Sequence, residues 1–269
     1  TGFGNDRLRL GHVKFFSDGG MGARTAWMID PYLDAGRGFS RGMSLMDMDA
    51  LAEQVRRADA AGLSVMVHAV GDRANRERVN LFESLDLTRR RRAAPPPVIP
   101  HRVDRVPMIR PEDVERLGRL NLALCVTPAN MILDINLIDA SVGEAGRWAY
   151  AFRSLMDTGA AVMFSSDCPV CDPSPLTGIH AAVTRQRADG TPRGGWYPQN
   201  RVNVAEAIRA YTATPAAVHQ SHDLGLIAPG RKADLAVLSE NLLAIPPSRI
   251  YATRVDMTLF NGRIVHRLF

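Results

Sequence analysis

Three residues have the type and setting to do chemistry: Lys14, His68 and Asp167. Lys14 lies in the run His12-Val-Lys-Phe-Phe-Ser-Asp18-Gly-Gly. In a strand it points to one face while Val13 and Phe15 point to the other. A partly desolvated lysine loses its proton more easily, and its free amine reacts. The only other lysine is Lys232, which makes this placement informative. The plainer reading is a side chain whose ammonium reaches solvent at the strand end. His68 closes the apolar run Leu63-Ser-Val-Met-Val, and Asp167 closes Ala160-Ala-Val-Met-Phe-Ser-Ser. Taken alone, the first reads as a satisfied polar residue and the second as a turn cap. Carried at the exits of three parallel strands, the three meet at one rim. A lysine, an imidazole and a carboxylate gathered there form a donor set for metal-activated hydrolysis.

The elements around them alternate between strand and helix. Ser44 to Ala61 reads as a helix capped by Ser44, with an apolar stripe of Leu45, Met48, Leu51, Ala52, Val55 and Ala58. After the strand to His68 comes a helix over about 73–86, then an Arg/Pro-rich loop over 89–97. Val98 to Val106 and Leu122 to Val126 read as strands, with a short Pro111–Gly118 helix between them. Residues 130–146 show no strong period and read as a loop with short helical turns. Helices are expected over Arg147–Thr158, Ile179–Arg187 and Val204–His219, with a strand over Ala160–Ser166. The long loop 25–44 and the Gly/Trp/Tyr loop 189–201 are expected to border a site. Alternation of this kind implies parallel strands with crossover helices. From about Asp223 the texture changes to short strands, and Asn261-Gly262 marks a hairpin. The expected division is therefore 1–222, an α/β unit, and 223–269, a small β unit too short to close a core.

Composition excludes several classes. The chain of 269 residues is 46% hydrophobic and 23% charged, with no apolar run of membrane-spanning length. Net charge is +5, but the arginines are scattered apart from Arg89-Arg90-Arg91-Arg92, which reads as a solvated loop without aromatic interleaving. No nucleic-acid or membrane partner is expected. Three cysteines argue for a reducing compartment, the cytoplasm. Cys168-Pro-Val-Cys171 is a lone C-x-x-C without a second pair or a redox context, and is read as structural.

The sequence also resembles the C-terminal half of the amidohydrolase superfamily, specifically the amidohydrolase-3 group of N-substituted formamide deformylase-like and YtcJ-like proteins. The motifs are Val13-Lys-Phe-Phe-Ser-Asp-Gly-Gly-Met-Gly-Ala-Arg-Thr-Ala26, Val67-His-Ala-Val-Gly-Asp-Arg-Ala-Asn75, Ser166-Asp-Cys-Pro-Val170, Gly194-Gly-Trp-Tyr-Pro198 and Leu226-Ile-Ala-Pro-Gly-Arg-Lys-Ala-Asp-Leu235. The resemblance implies part of a (β/α)8 TIM-type barrel, about strands 4–8, followed by a segment of a β-sandwich. It implies Lys14, His68 and Asp167 as ligands of one or two divalent metals, zinc above all. Asp167 would also be the general base toward a metal-bound water, and the bond split would be a non-peptide C–N bond of a small amide-type substrate. Arg24, Trp196 and Tyr197 fall where substrate would be held.

Two departures from the family pattern stand out. No His-x-His precedes Lys14, so the first barrel strands and part of the sandwich are expected to lie outside this chain, in an upstream half or a second copy in a homo-oligomer. The expected H-R-[IV]-E-H motif stands here as His101-Arg102-Val103-Asp104-Arg105, with Arg105 in the ligand position. A guanidinium stays protonated and binds no cation. His101 is four residues earlier, roughly 13 Å along a strand, and does not replace it. Asn130 likewise stands where the family leads to a histidine. The alternative to a metal-dependent hydrolase is thus a truncated, non-catalytic relative without a competent metal centre.

Overall fold

The computed structural model describes residues 4–5, 8–33 and 41–268. The part of the expected 25–44 loop that carries Gly36 and Gly38 lies outside the described residues. Strands β1 (His12–Phe16), β2 (Ser64–Ala69), β3 (His101–Arg105), β4 (Leu122–Val126) and β5 (Ala161–Phe164) form one sheet in chain order. The pairs β1–β2, β2–β3 and β3–β4 are parallel. Among the described residues the sheet is open, with β1 and β5 at its edges.

The crossover helices α1 (Met48–Ala60), α2 (Asp72–Arg92) and α3 (Pro111–Gly118) separate the first four strands. Period two sorts the sheet residues. Val65, Val67, Val103 and Leu124 are fully buried. The opposite set falls into two rows across the strands. Lys14, Met66, Arg102 and Ala123 share one level, and Phe16, His68, Asp104 and Cys125 share the next. These side chains form the second face of the sheet, which carries Lys14, Arg102, His68 and Asp104, while Arg105 falls on the first face, level with Ala69 and Val126.

Several elements differ from the sequence reading. Helix α1 starts at Met48, and its cap is Asp47, whose carboxylate accepts from Ala50 N at 2.9 Å. Ser44 gives its hydroxyl to Met46 O at 2.6 Å instead, and Leu45 stays outside the helix and exposed. Helix α2 continues through Arg92, so the four arginines form its last turn rather than a loop. Cations there oppose the partial negative charge of the free carbonyls. Arg89 is not solvated: its Nε donates to both Asp59 oxygens at 3.1 Å.

Residues 130–146 are mostly helix: α4 covers Pro128–Val142, followed by a 3-10 turn over Gly143–Trp148. Its buried stripe is Met131, Ile135 and Ile138, but Ile132, Leu133 and Leu137 between them are apolar too and hide the period. Helix α5 is only Phe152–Asp157, and α6 runs Pro175–Thr184. The expected Val204–His219 helix is two, α7 (Val204–Tyr211) and α8 (Ala213–Val218), broken at Thr212. Pro215 has no N–H for Tyr211 O and would clash with it in a continuous helix.

Strands β6 (Leu235–Leu238), β7 (Val255–Phe260) and β8 (Arg263–Arg267) form a separate antiparallel sheet. Asn261 and Gly262 join β7 to β8 with φ of 49° and 76°, the left-handed pair of a tight hairpin. Three strands with an exposed β8 do not make a sandwich, and no second layer is present among the described residues. The chain forms two compact units, residues 1–126 with 133–162 and residues 127–132 with 163–269, so residue 222 falls inside the second. No helix among the described residues is long and apolar enough to cross a membrane.

Candidate functional site

Lys14 is committed to an ion pair. Its Nζ lies 2.6 Å from Asp104 Oδ2, with the two side chains 29% and 12% exposed. The register explains the contact: Lys14 is level with Arg102 through Met66, and Asp104 is one row further along the same face. Arg102 takes the other carboxylate oxygen, donating from Nε to Asp104 Oδ1 at 2.7 Å. One carboxylate therefore serves two cations.

His68 is fixed at three points by the segment after β1. Ser17 donates to the His68 carbonyl from its backbone N at 3.0 Å and from its hydroxyl at 2.6 Å. The His68 ring gives its Nε2 proton to Gly19 O at 3.2 Å, and Phe16 packs on the ring at 5.2 Å. Burial holds the imidazole below its ordinary pKa; the Gly19 bond opposes this, and the charges of Lys14 and Arg105 add to it. The ring is thus neutral at pH 7.

Asp18, between those two anchors, is fully buried and accepts from three backbone amides: Val70 at 2.9 Å, Gly71 at 2.8 Å and Trp27 at 2.8 Å. Burial pushes its pKa from 3.8 up to about 6, against those bonds and the charge of Arg78. Arg105 closes β3 at φ 84°, followed by Val106 at 44°. Two adjacent left-handed residues without glycine mark a bent strand exit.

The other expected site residues have different surroundings. Asp167 follows β5 in the second unit, exposed and left-handed at φ 54°, with its carbonyl accepting from Val170 N at 2.9 Å. Trp196 is buried, under the Arg185 guanidinium at 5.2 Å, and Tyr197 is 4.9 Å from it, ring to ring. Arg24 lies over the Tyr32 ring and donates to Met21 O at 3.0 Å. Asn130 is buried and takes a contact from Cys171 Sγ at 3.4 Å, while Cys168 is exposed. The structure joins Lys14 and His68 on one face, and adds Asp104, Arg102 and Asp18, which the sequence reading did not assign. For Asp104 and Arg102 the sequence reading placed both on a strand, but it is the observed parallel register that sets them beside Lys14. Nothing in the sequence marks Asp18 as a three-amide clamp.

A divalent metal does not fit this arrangement. Among the described residues no three or more His, Cys, Asp or Glu side chains gather where one ion would reach them. At this face the donors are one imidazole, with its Nε2 proton engaged, and one carboxylate already held by two cations.

Parallel strands alternating with crossover helices are the plan from which β/α barrels are built. The family model described as the amidohydrolase family matches residues 1–266, and the chain belongs to that family. The chain is 30% identical over 262 residues to the YtcJ protein of Bacillus subtilis, covering 96% of this chain and 47% of that protein. It is 25% identical over 209 residues to N-substituted formamide deformylase of Arthrobacter pascens, covering 77% and 37% respectively. Among solved structures, an uncharacterized metal-dependent hydrolase from Pyrococcus horikoshii OT3 superposes with a TM-score of 0.77 at 30% identity, covering 91% of this chain and 47% of that one. The chain spans less than half the length of each of these proteins.

Proposed function

We propose that this chain is part of a hydrolase that splits the C–N bond of a small, non-peptide amide-type substrate. The observation that carries the reading is family membership across residues 1–266. Support for the bond type comes from the relative named for removing formyl groups from N-substituted formamides. Lys14, His68 and Asp167 remain its candidate residues. Asp167, an exposed carboxylate, is the proposed base toward water. Lys14 and Arg102 place positive charge where negative charge develops on a carbonyl oxygen. Arg24, Trp196 and Tyr197 are its proposed substrate residues. The name of the archaeal structure, a metal-dependent hydrolase, would bring a metal ion to this reading, and a divalent one, zinc, is what the family resemblance implies. The donors among the described residues do not fit one.

The test is amine release from a panel of N-formyl and N-acetyl amines, run with added zinc and with chelator. Turnover that falls at least a hundredfold in both Lys14→Ala and Asp167→Asn supports the reading. A panel left intact under both conditions favours the non-catalytic alternative.

A further inference from the structure

The charged residues of the five-stranded sheet are Lys14, Arg102, Asp104 and Arg105; β2, β4 and β5 carry none. On the face that carries Lys14, two cations, Lys14 and Arg102, thus meet one carboxylate, Asp104, while Arg105 falls on the other face. Lys14 has three N–H groups, and one is directed at Asp104. Arg102 uses Nε and Nη2 toward Asp104 and Nη2 toward Met66 Sδ, leaving Nη1 without a protein partner among the described residues. Both side chains are partly shielded, at 29% and 18% exposure, so their charge is screened less than on an open surface. An excess of half-buried positive charge repels a cation and leaves ammonium and guanidinium donors to be satisfied. Paired donors of this kind match the geometry of an oxyanion.

We propose that the face formed by Lys14, Arg102 and Asp104 is a binding site for a small oxyanion, the carboxylate or phosphate class, in the place where the family resemblance had put a metal. The anion sits between the free Lys14 N–H groups and Arg102 Nη1, with Asp104 as the built-in competitor for the same donors. This site goes beyond the hydrolase reading and stands whether or not the chain turns over an amide.

Calorimetric titration of the whole chain in chloride-free buffer tests it, with acetate, inorganic phosphate, N-acetylglycine and the neutral N-acetylglycinamide as probes. Anions should bind at one site and the neutral amide should not. Lys14→Met should weaken binding about tenfold, the scale of one charge-assisted hydrogen bond. Asp104→Asn should tighten it about tenfold, because the competitor is gone. A gain of affinity cannot come from a damaged fold. N-acetylglycine binding more tightly than acetate and phosphate would identify a carboxylate-bearing amide as the source. Phosphate binding most tightly would identify a free inorganic anion. Anion affinities no better than the neutral control, or zinc bound at micromolar concentration and lost in His68→Ala, would overturn the proposal.

Discussion

His101 should make this fold sensitive to mild acid, and the structure sets the size of the effect. Its ring is 2% exposed and stacks on Phe82 at 5.5 Å between centroids. Nδ1 accepts from Val65 N at 3.0 Å, inside the parallel sheet. With that nitrogen taken as an acceptor, the proton is on Nε2, which faces Asp59 Oδ1 at 3.2 Å and also lies against the Arg89 guanidinium. A second proton has no place to go without breaking the Val65 bond. Burial first, and then the charge of Arg89, lower the pKa from 6.5 to about 4. In the unfolded chain the imidazole takes up its proton near pH 6.5; in the fold it does so only near pH 4. Its contribution to stability is therefore whole above pH 6.5 and is lost as pH falls to 4. That difference is worth about 3 kcal/mol. Asp18 works in the other direction, since its folded pKa of about 6 exceeds 3.8 and protonation there favours the fold. The comparison must therefore be with His101→Asn, whose side-chain oxygen replaces Nδ1 as the acceptor but does not titrate. Urea unfolding at pH 7, 6, 5 and 4 measures both proteins. The stability of the wild type relative to the variant should fall by about 3 kcal/mol across that range. A difference that stays level from pH 7 to pH 4 would refute the assignment of a neutral, locked imidazole.

Two further variants probe the clamp behind His68. Asp18→Ala removes the acceptor of three backbone amides and takes away the carboxylate whose charge most favours the buried Arg78 guanidinium. A loss of about 3–5 kcal/mol in urea unfolding is expected, with faster hydrogen exchange at Val70 and Gly71; unchanged exchange there would count against the clamp. Gly71→Ala places a methyl group 1.9 Å from Trp27 O, although φ of −69° suits any residue. It should cost about 1–3 kcal/mol and shift the Trp27 emission, and a variant with wild-type stability and spectrum would contradict that close approach.

Much of the sheet could be read from the chain because its signals are local. Five short apolar or β-branched runs separated by helical periods announce parallel strands, and Asn261-Gly262 announces its hairpin. The failures have physical causes as well. Helix α4 carries apolar residues beyond its buried stripe, so its period is masked. The arginines at 89–92 have the composition of a loop, yet helix propensity and the carbonyl end of α2 accept them. The competition between Ser44 and Asp47 for the cap was decided by a hydroxyl already spent on Met46 O.

By itself the sequence determined which residues could act and which could not: an isolated lysine in an apolar strand, an imidazole at a strand exit, and an arginine that no cation tolerates. Charge and side-chain chemistry travel with the residue and need no coordinates. Only the tertiary structure decided that Lys14 spends its charge on Asp104 and shares it with Arg102. Lys14 and Asp104 come from strands 90 residues apart, and inter-strand register, which no local pattern encodes, brings them within hydrogen-bond reach.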